Sequence, residues 1–397
     1  MPTGTAADAV PETGSLSTLA RALLDTASLI RVMPERVKIA PAAPFPAGET
    51  SSAQVFLERV TGALGLPEVE VESEPGRLSA VELAVSRRLS LRPHGGTADE
   101  EQIEEAARRA LSAFPGRPVV VPAYDGSPLR CWAVGPEDAP AVAVVSACGM
   151  PVGLVANWMS ALSSSYRVVT WESRGLFAGD DGSGLGDLAG HSLHVQSDDL
   201  LAVLDGFGIA RAHAMGLCGG AAIALAAAAR SDRITSVSLW HGDYELGGDA
   251  PKTAHQRDVE SLLTMVSRDL RQATGMHRLM SRPATLEALR QDIAHYLIHP
   301  YATPELLYRY GLLNGAIMTT DCRPLLTAGQ PTLVVTSKKD ATAHPAGSEF
   351  VAAHLPQARL RTLPEGDHLT AFDAGDELVG LAREFLHTVT TEDRKGT

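Results

Sequence analysis

Gly216-Leu217-Cys218-Gly219-Gly220 is the stretch on which the reading of this chain turns. It closes an apolar β-like run, Ala212-His213-Ala214-Met215, and opens an alanine-rich run from Ala221 to Arg230. A strand, a sharp turn and a helix in that order form the setting in which a turn presents a nucleophile. Such a turn strains its central residue and crowds its neighbours, which is why glycines flank it. A thiol at the centre is a better nucleophile than a hydroxyl and forms a more reactive acyl intermediate. The plainer alternative is a small buried cysteine beside a glycine turn, since free cysteine is among the most buried residue types. The rest of the chain weighs between the two.

With 397 residues and 45% hydrophobic content, the chain suits one large globular domain plus a smaller one. Its net charge of −13 argues against nucleic acid and against an anionic membrane surface as partners. Met1 to Asp8 lacks the basic and apolar regions of a secretory signal, and no apolar run is long enough to cross a membrane. Cys131, Cys148, Cys218 and Cys322 are widely spaced, without metal-ligand spacing. The expectation is a cytoplasmic protein with free thiols and no metal.

The organisation expected is a disordered N-terminus (1–14), a small helical domain (15–91), a linker with one helix (92–117) and a large α/β domain (118–397). The linker carries His94-Gly95-Gly96-Thr97 and then an amphipathic run, Ile103–Phe114. Beyond it, strands are expected at Val119–Pro122, Leu129–Val134, Ala141–Ser146, Arg167–Trp171, Ala212–Met215, Thr235–Trp240, Thr332–Thr336 and Ala358–Leu363. Asp125-Gly126 signals a hairpin between the first two. Most of the others are separated by helical runs, which demands parallel pairing with helices on both faces of the sheet. From Gly242 to Gln330 the rhythm breaks. This helical interval (Gln256–Arg268, Glu287–Ile298, Pro304–Gly311) reads as a lid inserted between two core strands.

A nucleophile needs a base, and the base an orienting acid. Asp340 follows the strand Thr332–Thr336, and His368 follows the last strand. Nucleophile, acid and histidine thus stand at strand ends in the chain order Cys218, Asp340, His368. With these residues, and with Trp171-Glu172-Ser173-Arg174-Gly175 after the fourth strand, the region from Val119 onward resembles an α/β-hydrolase-fold enzyme. The resemblance implies a mostly parallel eight-stranded sheet with a helical lid. It also implies an oxyanion hole from the backbone N–H groups of Gly219 and, in Ala147-Cys148-Gly149-Met150-Pro151, of Met150, since Pro151 has none to give. Cys148 ends a strand near Cys218, either as a small filler or as a redox partner.

Residues Ser15 to Leu91 resemble an acyl-carrier-protein domain. Leu19–Ile30 would be its first helix, and Pro34-Glu35-Arg36-Val37 with Ala43-Pro44-Phe45 its long loop. Gly48-Glu49-Thr50-Ser51-Ser52 falls where carriers hold their Asp-Ser-Leu signature, which implies phosphopantetheine on Ser51. Thr50 and Ser52 depart from that signature, and the same residues also read as a plain helix N-cap. No other cofactor is expected.

In the lid region, Asp243, Glu245 and Tyr308 are candidates for substrate contact; residues of this kind more often tie a lid to its core. The resemblances together imply acyl transfer or thioester cleavage in secondary metabolism of the polyketide kind, on an acyl group borne by a carrier protein or coenzyme A. A second implied reaction is elimination of acetate from an acetylated tetronate-type intermediate, with His368 as base. A third reading is a non-catalytic binding platform.

Overall fold

The computed structural model of the protein describes residues 16–42, 49–72, 78–91 and 98–396. The expected disordered stretch 1–14, the loop residues Ala43 to Phe45, Gly48 and His94 to Thr97 lie outside them. The chain divides into two units, Met1–Ala113 with Pro283–His295, and Phe114–Arg282 with Tyr296–Thr397.

The first unit holds helices α1 (Leu16–Asp25), α2 (Ala27–Val32), α3 (Glu49–Leu64), α4 (Ala80–Leu89) and α5 (Glu100–Ser112). Ser79 with Glu82 and Asp99 with Gln102 form capping boxes that start α4 and α5. Leu23, Leu29, Ile30, Leu57, Val60, Val85 and Ile103 fill the interior. Two short strands not expected from sequence, β1 (Val37–Ile39) and β2 (Val69–Val71), pair in parallel. At three residues each, they are too short for alternation to register as a pattern. Ser51 is exposed in the first turn of α3.

The second unit is built on an eight-stranded sheet in the order β10-β9-β8-β7-β5-β6-β4-β3. Its strands are β3 (Val119–Pro122), β4 (Pro128–Val134), β5 (Ala141–Val145), β6 (Arg167–Trp171), β7 (Ala212–Leu217), β8 (Ile234–Trp240), β9 (Thr332–Ser337) and β10 (Ala358–Leu363). Only the pairs β3–β4 and β4–β6 are antiparallel. The hairpin turns at Gly126, which takes a φ of 84°. Helices α6 (Ala156–Leu162), α7 (Leu193–Gly206) and α8 (Gly219–Ala228) connect the central strands. Every residue of β7 and of α8 is buried, so the alanines of α8 serve close approach to the sheet.

The chain leaves β5 for β6 on one side, then crosses back to β7 on the other side of β5. Successive connections therefore diverge between β5 and β7, and a crevice opens there beyond the carboxyl ends of the strands. The turn at Cys218 ends β7 at that crevice, and the loop Ser146–Pro151 ends β5 beside it.

Between β8 and β9 lie α9 (Ala254–Val266), α10 (Leu270–Met280), α11 (Pro283–Glu287), α12 (Ala294–Leu297) and α13 (Pro304–Thr319). The single helix expected over Glu287–Ile298 is instead the end of α11, a turn and α12. In that turn the Arg290 guanidinium pairs with Asp292 at 2.9 Å, a two-residue spacing that does not face itself on a helix. Helix α10 has no counterpart among the expected helices, and α13 runs beyond the expected Gly311 to Thr319. The chain closes with α14 (Pro345–His354), α15 (Thr370–Asp373) and α16 (Asp376–Gly396).

Candidate active site

Cys218 sits between β7 and α8 with φ 55° and ψ −127°, a left-handed conformation that a side-chain-bearing residue seldom adopts. Its N–H donates to the carbonyl of Trp240 at 3.0 Å, and its carbonyl accepts from Ala221 N–H at 3.0 Å. Both flanking glycines are sterically required. A Cβ on Gly216 would lie 2.5 Å from the Ala221 Cα, and one on Gly220 would lie 2.2 Å from the Val145 carbonyl oxygen. Gly220→Ala is therefore expected to lower stability by about 1–3 kcal/mol through overpacking against backbone, which has no rotamer to yield. Urea unfolding measures it, and an unchanged midpoint would remove this account of the turn.

The loop after β9 supplies Asp340 and the loop after β10 supplies His368, both buried. Asp340 Oδ1 accepts the backbone N–H groups of Thr342 (2.8 Å) and Ala343 (2.9 Å), which aims Oδ2 at His368 Nδ1, 3.0 Å away. A carboxylate oxygen on Nδ1 assigns the proton to that nitrogen and leaves Nε2 as the working atom. Nε2 is buried and faces Cys218, whose charge and side-chain hydrogen bond both favour the imidazolium. Burial disfavours the imidazolium, but the charge of Cys218 and the bond to Asp340 outweigh it and raise His368 to about 10. For Asp340, burial pushes upward, and the imidazolium bond and charge outweigh that push to lower it.

His241, just past β8, was overlooked in the sequence although it too follows a strand end. Its φ is 48°, its Nε2 lies 2.7 Å from Ser337 Oγ, and its ring stands edge-on to His368 with centroids 6.0 Å apart. Burial first, and then the charge of His368, lower it to about 4, so it walls the site as a neutral ring.

Gly219 opens α8, so its N–H has no intrahelical acceptor and is free of helical duty. The partner loop is pinned from β6. Gly149 N–H donates to Ser173 Oγ at 3.0 Å, and Val152 N–H donates to the buried Glu172 carboxylate at 3.1 Å. This gives the Trp171–Gly175 segment a positioning role. Met150 N–H meets the Ala147 carbonyl at 3.3 Å in a tight turn. Cys148 is fully buried, and burial pushes its thiol up to about 12, which suits an inert filler. Of the four cysteines, Cys218 alone is not buried.

The lid candidates separate. Asp243 does approach Cys218, whose carbonyl accepts its N–H at 3.4 Å. Its Oδ1 accepts from Gln256 Nε2 at 2.6 Å, while Gln256 Oε1 accepts from Thr253 N–H (3.0 Å) and His344 N–H (2.9 Å) and so cannot turn. Burial raises the Asp243 carboxyl against the charge of His368. Glu245 is a tie instead, bonded to Gly247 N–H (2.8 Å) and Lys252 Nζ (2.5 Å). Tyr308 packs against the lid's own cluster of Val266, Ala273 and Leu307. Tyr310, two residues on, turns to the site: a Cβ on Gly149 would lie 3.1 Å from its ring.

Among the described residues, no cluster of His, Cys, Asp and Glu could hold a metal ion, and no helix is long and apolar enough to cross a membrane.

A buried carboxylate, an imidazole and a strained strand-end cysteine on a mostly parallel sheet define one class of protein. The alpha/beta-hydrolase fold family model matches residues 148–374, more than half of the chain, and the chain belongs to that family of enzymes. It is 22% identical over 280 residues to 3-oxoadipate enol-lactonase 1 of Acinetobacter baylyi, covering 68% of this chain and 97% of that one. Among solved structures, an enol-lactonase from Burkholderia xenovorans superposes with a TM-score of 0.53 at 22% identity, over 68% of this chain and all (100%) of that one. A thermophilic esterase from Thermogutta terrifontis gives 0.54 at 18%, over 69% and 99%. At these identities the structural likeness concerns the fold.

Proposed function

We propose that this hydrolase-family enzyme cleaves a thioester or ester by covalent catalysis through Cys218, passing the acyl group to water or another acceptor. The observation that carries this reading is the line Asp340–His368–Cys218, with His368 raised to about 10 by the charge of Cys218 and the bond from Asp340. In the first step the Cys218 sulfur bonds to the acyl carbon, and the bond to the leaving group breaks. His368 gives that group its Nε2 proton. In the second step His368 takes a proton from the acceptor, whose oxygen or nitrogen bonds to the acyl carbon and releases Cys218. Gly219 and Met150 N–H groups would hold the oxyanion, once the weak Met150 turn bond yields.

The relatives named as an enol-lactonase and an esterase act, by those names, on ester linkages, which favours acyl chemistry. A thiol nucleophile suits a thioester, and on that ground the substrate we infer is an acyl group on a carrier protein or coenzyme A. Elimination of acetate needs His368 as a free base toward carbon, a role for which a histidine held as imidazolium is poorly suited. The test is trapping. Brief exposure to acyl thioesters should add the acyl mass to the Cys218 peptide, and turnover with no such adduct on any time scale would favour elimination.

A further inference from the structure

We propose that Asn314, on lid helix α13, is a specificity residue that reads a hydrogen-bond donor, a hydroxyl or N–H, carried by the acyl group on the second carbon from the scissile carbonyl. This rests on the acyl reading above and names its substrate class. Tyr310, Asn314 and Ile317 follow one another at spacings of four and three, so they share one face of α13. That face covers both loops expected to hold the oxyanion. A Cβ on Gly149 would meet the Tyr310 ring at 3.1 Å, and one on Gly219 would meet Asn314 Oδ1 at 3.4 Å and Ile317 Cγ2 at 3.5 Å.

The Asn314 amide has one orientation. Its Nδ2 donates to the Tyr310 hydroxyl at 3.1 Å and lies 3.8 Å from Met318 Sδ. A thioether only accepts, so the nitrogen must lie on that side. Tyr310 is buried and is bonded in turn to Tyr301, which holds the hydroxyl in place. The atom turned to the nucleophile turn is therefore Oδ1, and it accepts no hydrogen bond from any described residue. An acceptor there cannot stabilise an oxyanion, which it would repel. What it can receive is a donor displaced from the carbonyl along the acyl chain. A plain alkyl chain would leave Oδ1 dry and unpaired, which disfavours that chain.

Calorimetric titration of the full chain tests this with two unreactive ligands, the pantetheine amides of 3-hydroxybutyrate and of butyrate. The hydroxylated ligand is expected to bind about tenfold or more tightly, because a site built for a hydroxyl discriminates against the analogue lacking it. In Asn314→Leu the two should bind within about twofold of each other, while Asn314→Asp, which keeps an acceptor, should retain part of the preference. Thermal melts confirm that each variant is folded, and Asn314→Ala replaces the leucine variant if that one is not. Equal binding of the two ligands to the wild type, binding of neither, or a preference surviving in the leucine variant overturns the proposal. The measurement involves no turnover. Failure of the acyl reading shows separately, as the absence of an adduct on Cys218.

Discussion

Cys218→Ala is expected to lower kcat/KM for thioester or ester cleavage by roughly 10⁴–10⁶-fold in a chain that still folds. The size follows from mechanism. Without sulfur no acyl-enzyme forms, and what persists is whatever the oxyanion donors and binding supply unaided. The alanine keeps the Cβ and inherits the same φ of 55°, so backbone strain is the same before and after. Any change in stability should then come from the charge that Cys218 lends to His368 and not from the backbone. Steady-state kinetics on a chromogenic thioester together with a thermal melt decide it. A variant with more than about a tenth of wild-type activity would mean that Cys218 is not attacked, since removing a nucleophile never leaves so much.

Asp340→Asn carries the second large effect, a loss of about 10³–10⁴-fold in kcat, because an amide at that position no longer dictates the proton on Nδ1. Its signature in stability is specific to pH. His368 is raised from 6.5 to about 10, so its stabilising contribution is complete below 6.5 and is lost as pH rises through about 10. Asp340 is lowered from 3.8, so its contribution is present above 3.8 and is lost as pH falls below that value. The difference in melting temperature between wild type and Asp340→Asn should then be greatest between pH 3.8 and 6.5, and should shrink toward either end. A difference that stays flat from about pH 4 to about pH 10, the range over which His368 must lose its proton, would contradict an ion pair between the two.

The strand-end positions of Cys218, Asp340 and His368 were legible because each is announced locally. Cys218 stands between glycines at a strand–helix junction, Asp340 follows a buried apolar strand, and His368 follows a strand that alternates apolar and polar residues. The same local logic made Asp125-Gly126 a hairpin. The lid resisted it. Tyr308 and Tyr310 stand two residues apart on α13, and a helix turns such residues to nearly opposite sides. Which of them meets the site depends on how α13 lies over Gly149 and Gly219, and no residue in its own neighbourhood encodes that. Asp243 and Glu245 look alike in sequence. Gln256, held rigid by Thr253 and His344, keeps the first at the site, while Gly247 and Lys252 bind the second away from it.

By itself, the sequence determined the fold class, the order of Cys218, Asp340 and His368 at strand ends and the strain at Cys218, because turns, glycines and strand ends are written in short stretches of chain. Only the tertiary structure decided that the loops after β9 and β10 bring Asp340 and His368 together beside the end of β7, and that the Asn314 carbonyl is turned toward Gly219. The physical reason is that parallel strands meet through crossovers far apart in sequence, and a lid helix takes its rotation from what it covers.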